Sequence, residues 1–598
     1  MNQSENKVCQ NCRGQFVIEP EDFQFYAKIQ VPPPTFCPDC RLQRRLAFRN
    51  ERALCKRKCD LCLKDIISMY ADSTSFPVYC HNCWFGDQWD PRDYGQDYDF
   101  SKPFFAQFHE LFKKVPRSAL YLRNTTNSPY SNLVGESKNV YLAYSIVNAE
   151  NVFYSKIVDK SYYVYDSLSV AESENCYGNI YSDRNFNSHF LEYSNNCIDS
   201  WFLFDCINCK NCVLSSNLRN KEYFIRNERH SKEDYFKKLK ELNFGSYRSL
   251  RDVKTELLNI KLKAIHKYAD ILKSTRVSGD NLYATKNAKL CFDSYEIEDC
   301  SYCFRIIAMK DGVDCCFTGL GAELIYEYIS GGKGNYDLKF SSFAFDGVKN
   351  SYYTDYCQSS SELFGCIGLR GKKSCILNKQ YDETAYRELL PKIKKHMEEM
   401  PFTGNNGRIY KYGEFFPIEL SPFAYNETIA QEYFPINKDK ASEAGYTWKE
   451  FQSKTYEIEI SSENLPDHID EVDEKIIGKT ISCIHQGKCD HQCTYGFRLI
   501  QEEFRLYKKL AIAIPRVCPN CRHYERLKST NPLKLWKRQC MCLPAGTSAN
   551  EGDNKAYNNS QIHNHHPEGQ CPNKLETSYS PERQETVYCE VCYNAEVV

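Results

Sequence analysis

Paired cysteines at the two ends of the chain constrain its fold more than any other feature. Cys9-x-x-Cys12 is followed by Cys37-x-x-Cys40, and Cys59-x-x-Cys62 by Cys80-x-x-Cys83. A Cys-x-x-Cys turn presents two thiolates to one ion. Two such turns close a tetrahedral shell around Zn2+ and leave no open catalytic position. The C-terminus repeats the arrangement. Placing Cys12 on Cys493 brings Cys37 onto Cys518 and Cys40 onto Cys521 without a gap, and carries Phe16, Tyr26, Arg41 and Arg45 onto Phe497, Tyr507, Arg522 and Arg526. Cys489, Cys493, Cys518 and Cys521 are therefore the expected third ligand set, with one extra residue in the knuckle.

For the fourth set, Cys62, Cys80 and Cys83 match Cys571, Cys589 and Cys592 at constant offset, but Glu568, a poor zinc ligand, stands opposite Cys59. The missing ligand is expected from Cys540, Cys542, His565 or His566, with the Cys540-x-Cys542 pair favoured. Cys55, Cys483, His485 and His491 lie near these shells; each could serve as a spare ligand, but the favoured reading is an ordinary non-ligand. About four zinc ions follow. At ~10–16 kcal/mol of apparent binding energy per structural site, each small module is expected to be unfolded without its metal.

The 32 cysteines of this 598-residue chain would suggest disulfides in a secreted protein. The N-terminal residues lack the charged and apolar regions of a signal peptide, and no apolar run approaches the ~18 residues of a membrane span. The expectation is a cytoplasmic, reducing environment, no membrane contact, and cysteines used as metal ligands. A formal charge of −1 favours no class of partner, so any basic or acidic surface must be local.

Between the cysteine modules a unit of about twelve residues recurs: polar, then Asn, Asp or Ser, then Cys, Val or Tyr, then an aromatic. Asn139-Val140-Tyr141, Asn151-Val152-Phe153 and Asn175-Cys176-Tyr177 are examples. A second series runs through Phe292, Phe304, Phe317, Tyr328, Phe340, Tyr352, Phe364 and Ile376. A short fixed period with β-favouring and turn-forming residues predicts β-solenoid-like arrays. The two arrays are themselves duplicates, 151 residues apart, and a helical stretch follows each as a cap. Array cysteines largely occupy the repeated apolar slot as small buried hydrophobes. Cys206-x-x-Cys209-x-x-Cys212 is the exception, with three thiols able to face one side and hold a metal or an iron–sulfur cluster.

The expected fold is mainly β with short helices, in which tandem treble-clef or zinc-ribbon modules at both ends flank two duplicated arrays. Zinc modules occupy 1–54 and 55–95, with an aromatic helical linker at 96–130. The arrays with their end helices span 131–240 and 281–400, joined by a helical linker at 241–280. A mixed connector covers 401–480, and copies of the zinc modules fill 481–530 and 531–598. Within this scheme Ser101 to Val115 is an aromatic helix at the start of the first array, and 249–275 a helix between arrays.

The stretches VPPPTFCPDCRLQRRLAFRNER (31–52) and SPFAYNETIAQEYFP (421–435) resemble a family of uncharacterised multi-zinc-ribbon proteins from candidate-phylum bacteria. The resemblance covers most of the chain and implies this modular architecture. It implies no activity.

The sharpest functional signal follows Cys40. RLQRRLAFRNERALCKRK (41–58) carries eight basic residues and one acidic. On a helix opened by Cys40, Arg41, Arg44, Arg45, Arg49 and Arg52 share one side, an arrangement suited to phosphate oxygens. The bland alternative is a solvated face offsetting the charge of a Zn(Cys)4 centre. These residues lead to an expected zinc-stabilised scaffold whose N-terminal fingers contact nucleic acid, RNA or ribosome, and whose arrays engage a protein partner. The rival is a protein–protein scaffold without nucleic acid. An iron–sulfur assembly scaffold and a solenoid carbohydrate-active enzyme come behind both, because no phosphate-cradling loop, nucleophile elbow or H-E-x-x-H motif is present.

Overall fold

A computed structural model describes residues 3–317, 320–450, 457–544 and 559–598. It is mainly strand with shorter helices. Among the described residues no helix is long and apolar enough to cross a membrane. The chain forms two compact units, and each combines segments far apart in sequence. Unit 1 takes Met1–Tyr121, Ala269–Glu450 and Pro532–Leu535, and unit 2 takes Leu122–Tyr268, Phe451–Asn531 and Trp536–Val598. The N-terminal cysteine modules thus fold with the second array segment, and the C-terminal modules with the first.

In unit 2 the array segment is a ladder of parallel strands advancing twelve residues at a time, from Lys138↔Glu150 through Glu150↔Tyr162 and Tyr162↔Glu174 to Lys210↔Glu222. Two local devices make it. Every third residue from Leu133 to Arg226 has a positive φ, mostly near +50°. That region costs a side-chain-bearing residue ~1–3 kcal/mol, and Asn tolerates it best after Gly. This explains the recurring Asn139, Asn151, Asn175, Asn187 and Asn208. Their amides also stack: Asn127 donates to Asn139 at 2.9 Å, and Asn139 to Asn151 at 2.9 Å.

The second device is a buried hydroxyl. Ser155 donates to the carbonyl of Phe153 at 2.9 Å and accepts the N–H of Ser167 at 3.0 Å, satisfying a backbone group the turn would otherwise orphan. Ser161 and Ser167 do the same six and twelve residues on. Cysteines fill the equivalent slot: Cys176 and Cys206 point their thiols at the carbonyls two residues back, Glu174 and Phe204.

The ladder of unit 1 is less uniform. Its register is twelve residues at Lys286↔Glu298 and Glu298↔Lys310, thirteen at Lys310↔Glu323, Glu323↔Tyr336 and Tyr336↔Lys349, and twelve again at Lys349↔Ser361. The aromatic series expected from sequence departs from this register at two points. Phe304 faces Cys316 in place of Phe317, and Tyr328 faces Ser341 in place of Phe340.

Both ladders end alike. Consecutive positive-φ residues, Arg226-Asn227 and Leu377-Asn378, make tight hairpins that turn Glu228–Arg229 and Lys379–Gln380 back against the last parallel strand. Helices Lys232–Glu241 and Glu383–Glu399 follow, N-capped by Ser231 and Asp382.

Three expected placements change. The first ladder begins at Leu122, which pairs with Val134, nine residues before the expected boundary at 131. The helix expected over 249–275 is Tyr247–Lys263; beyond it Ile265–Lys267 is drawn into a strand beside Thr586–Tyr588 of the last module. The aromatic helix is Phe104–Lys114, and its Phe104 packs on Tyr353 and Phe364 of the second ladder, not at the start of the first.

Candidate metal centres

In the terminal modules four sets of four cysteines converge, and one local plan builds them all. A strand runs directly into the first cysteine, a partner strand leaves the knuckle, and a later cysteine caps a helix. In the first module the strands are Glu5–Val8 and Gln15–Ile18, and Cys37 caps helix Pro38–Leu46 with Pro38 at its first position. Cys80, Cys518 and Cys589 cap the helices His81–Phe85, Pro519–Lys528 and Glu590–Val597. Each capping cysteine also donates its backbone N–H to the sulfur of the first cysteine. The pairs are Cys37 to Cys9 at 3.2 Å, Cys80 to Cys59 at 3.2 Å, Cys518 to Cys483 at 3.3 Å and Cys589 to Cys540 at 3.1 Å.

Cys9, Cys12, Cys37 and Cys40 form one group able to hold a metal ion, and Cys59, Cys62, Cys80 and Cys83 a second. Sulfur separations such as Cys12–Cys37 at 3.8 Å and Cys62–Cys80 at 3.9 Å suit a tetrahedral shell. A metal–sulfur bond of ~2.3 Å spaces four ligands about 3.8 Å apart. Thiolate formation is helped locally. Burial raises the thiol pKa of Cys59, but backbone N–H groups of Cys62, Cys80 and Leu61 outweigh it and bring it to about 7. Cys589 is drawn down to about 3, chiefly by Cys540.

The third group replaces one expected ligand, and the fourth takes Cys540 alone from the favoured Cys540-x-Cys542 pair. The third group is Cys483, Cys493, Cys518 and Cys521. Cys483 takes the role expected of Cys489, because it is Cys483 that follows the first strand, Ile481–Ser482, and receives the capping N–H. A legible signal was the β-favouring Thr480-Ile481-Ser482 run ahead of it, matching the strand before Cys9. The fourth group is Cys540, Cys571, Cys589 and Cys592. Cys540 is the counterpart of Cys59, so the alignment that set Glu568 there was misled by the long stretch between Cys540 and Cys571. Cys542 falls outside this group, 3.6 Å from His563 Nδ1. Cys55 donates to the Tyr70 carbonyl at 2.9 Å and lies outside both N-terminal groups of four.

The arginine row expected to face phosphate is instead interior. Arg41 is 1% exposed, and Arg44 and Arg45 are 0% exposed. Arg41 meets Asp314 at 2.6 Å, Arg44 grips Glu327 at 2.8 Å and Glu414 at 3.2 Å, and Arg45 reaches Asp314 at 3.3 Å. Arg49 pairs with Glu51 at 2.7 Å and lies over the Phe317 ring, while Arg52 meets Glu432 at 3.4 Å. The charge excess of 41–58 is met by acidic side chains from the second ladder and from 414–432, far away in sequence. Burial raises the pKa of the Glu327 carboxyl, and Arg44 and Arg45 offset only part of that rise. Arg522 and Arg526 repeat the device in unit 2, meeting Asp166 at 2.6 and 3.0 Å.

Cys206, Cys209 and Cys212 are buried, and each directs its thiol to backbone carbonyls two and nine residues away. The Cys209 thiol also interacts with those of Cys197, Cys206 and Cys212, so the three thiols expected to face one side do come together inside the ladder. Comparisons with protein-family models and with curated proteins found no match for the chain.

Proposed function

We propose that the protein is a zinc-stabilised scaffold that engages a protein partner through the ladder of unit 2. The observation that carries the reading is a column on that ladder. Tyr162, Glu174, Phe186, Ile198 and Lys210 are successive register partners. Tyr162, Phe186 and Ile198 in it are 50%, 49% and 41% exposed. Apolar side chains aligned at a fixed step and bounded by charges match the anatomy of protein interfaces, an apolar centre within a polar rim. The equivalent line in unit 1 reads Lys286, Glu298, Lys310, Glu323, Tyr336 and Lys349, and is charged save for Tyr336.

The supporting parts are of one kind. Soft, tetrahedrally spaced thiol groups suit zinc, and closed four-sulfur shells serve structure. We read the parallel ladders as twelve-residue turns of β-solenoids with four three-residue sides, following the period-three backbone. All 32 cysteines are free thiols, which fits a reducing compartment. Contact with nucleic acid has lost the arginine row that suggested it.

The test is a photo-crosslinking amino acid placed at Phe186 and, for comparison, at Lys310 in the full chain, with elemental analysis of the purified protein. A protein adduct from position 186, lost when Tyr162 and Ile198 are changed to Lys, is the expected result. RNA retained through a low-salt purification and removed by high salt, with no protein adduct, would overturn the proposal in favour of nucleic acid.

A further inference from the structure

The third cysteine group has a neighbour. His485, Cys489, His491 and Cys521 form a second convergent set, and Cys521 belongs to both sets. Seven side chains are therefore gathered around one shared sulfur. Cys521 Sγ lies 3.8 Å from Cys483 and 3.5 Å from Cys518 on one side, and 3.7 Å from Cys489 and 3.2 Å from His485 Nδ1 on the other. Two tetrahedral ions joined by one bridging ligand need seven donors in all.

We propose that this module binds two zinc ions bridged by the Cys521 thiolate, one held by Cys483, Cys493 and Cys518 and the other by His485, Cys489 and His491. A thiolate sulfur keeps lone pairs enough to bind both. Five thiolates and two neutral imidazoles leave the pair of Zn2+ ions with a net charge of −1, close to neutral for a half-buried site. His491 adds an independent observation: it is 8% exposed, and its Nδ1 is buried without a hydrogen-bond partner among the described residues. Such an orphaned polar atom in a native interior calls for a partner, and an ion supplies one.

The sequence shows how the second site arises. Cys9 and Cys12 enclose two residues, whereas Cys483 and Cys493 enclose nine. The seven additional residues carry His485, Cys489 and His491. The last module uses a similar insertion. His565 and His566 bring Nε2 atoms to 3.2 and 3.3 Å from Cys592, the counterpart of Cys83.

The experiment is native mass spectrometry of the full chain purified with zinc under reducing conditions, beside two variants. One is His485→Ala/His491→Ala. The other deletes residues 485–491 and so restores a two-residue knuckle between Cys483 and Cys493. Each variant should hold one zinc fewer than the parent while keeping its circular dichroism. An unchanged zinc count in both variants would overturn the proposal, showing a single ion that uses one set or the other. Should the variants fail to fold, cobalt substitution of the parent decides. Spins coupled through a shared thiolate, seen as a lowered magnetic moment per cobalt, support the bridge, and fully independent cobalt spins refute it.

Discussion

Units 1 and 2 are built from the same parts and differ in what they do with charge and sulfur. In each, a helix opened by a cysteine ligand sends two arginines four residues apart onto one aspartate of its ladder: Arg41 and Arg45 onto Asp314, Arg522 and Arg526 onto Asp166. Both aspartates sit at positive φ, where the backbone turns the side chain toward the helix. Around this shared joint the copies part. Unit 1 adds Arg44, fully buried against Glu327 and Glu414, where unit 2 places the exposed Glu525. Unit 2 instead lengthens its knuckles and lines them with imidazoles. A duplicated frame can thus keep one docking contact and change everything beside it. The Arg44/Glu525 difference also prevents interchange, because Glu525 brought to the second ladder would face Glu327 as a like charge.

The largest effects should come from the metal groups. Cys40→Ser is expected to cost unit 1 one zinc ion and, at on the order of 10 kcal/mol of linked folding energy, the order of its first module. Cys521→Ser should release two ions from unit 2. Zinc release followed by a chromogenic chelator separates the two cases, and equal release would erase the difference drawn between the units.

Next are the buried pairs. Arg44→Ala removes the nearer partner of the buried Glu327, leaving it Arg45 at 3.5 Å, and takes the ion pair from Glu414; it should destabilise unit 1 by about 3 kcal/mol. Glu525→Ala, at the matching exposed position, should stay within about 0.5 kcal/mol. Chemical denaturation of both variants measures the contrast.

A smaller effect tests the ladder. Ser155→Ala leaves the Ser167 N–H without its acceptor and should cost up to about 3 kcal/mol, whereas Ser155→Cys should cost less, since cysteine fills the same slot elsewhere.

The smallest is a pH dependence. Burial holds His266, which packs on Tyr579 in unit 2, down at about 4. The unfolded chain takes up this proton near pH 6.5 while the native state resists until about 4, so stability is lost as pH falls through that window. The loss is about 2 kcal/mol by pH 5. His266→Phe should flatten this part of the stability profile between pH 7 and pH 5, and an unchanged profile would place the acid sensitivity elsewhere.

Much of the plan was legible before any coordinates. Cys9, Cys12, Cys37 and Cys40 announce their group because two-residue spacings are short enough for local geometry to bring the thiols together. The twelve-residue step was legible too, since each side chain meets its own repeat equivalent. Local spacing misled where chain length intervened. Cys483 is hidden as a first ligand because nine residues separate it from Cys493, and the thirty residues between Cys540 and Cys571 leave Cys540 legible only as one of several candidates. The thirteen-residue steps after Lys310 were hidden because aromatic residues such as Phe317 stand one position from the true register.

The sequence by itself determined what could be decided by near neighbours: the strand–knuckle–helix plan, the turn asparagines, the hairpins at Asn227 and Asn378, and the helix caps at Ser231 and Asp382. Only the tertiary structure decided which module folds with which ladder and whether a charge is free or sunk. Arg41 and Arg522 carry the same local pattern, so neither names its aspartate. The acceptors are hundreds of residues away, and the choice between them is made by the packing and charge that surround each pair once the chain has closed.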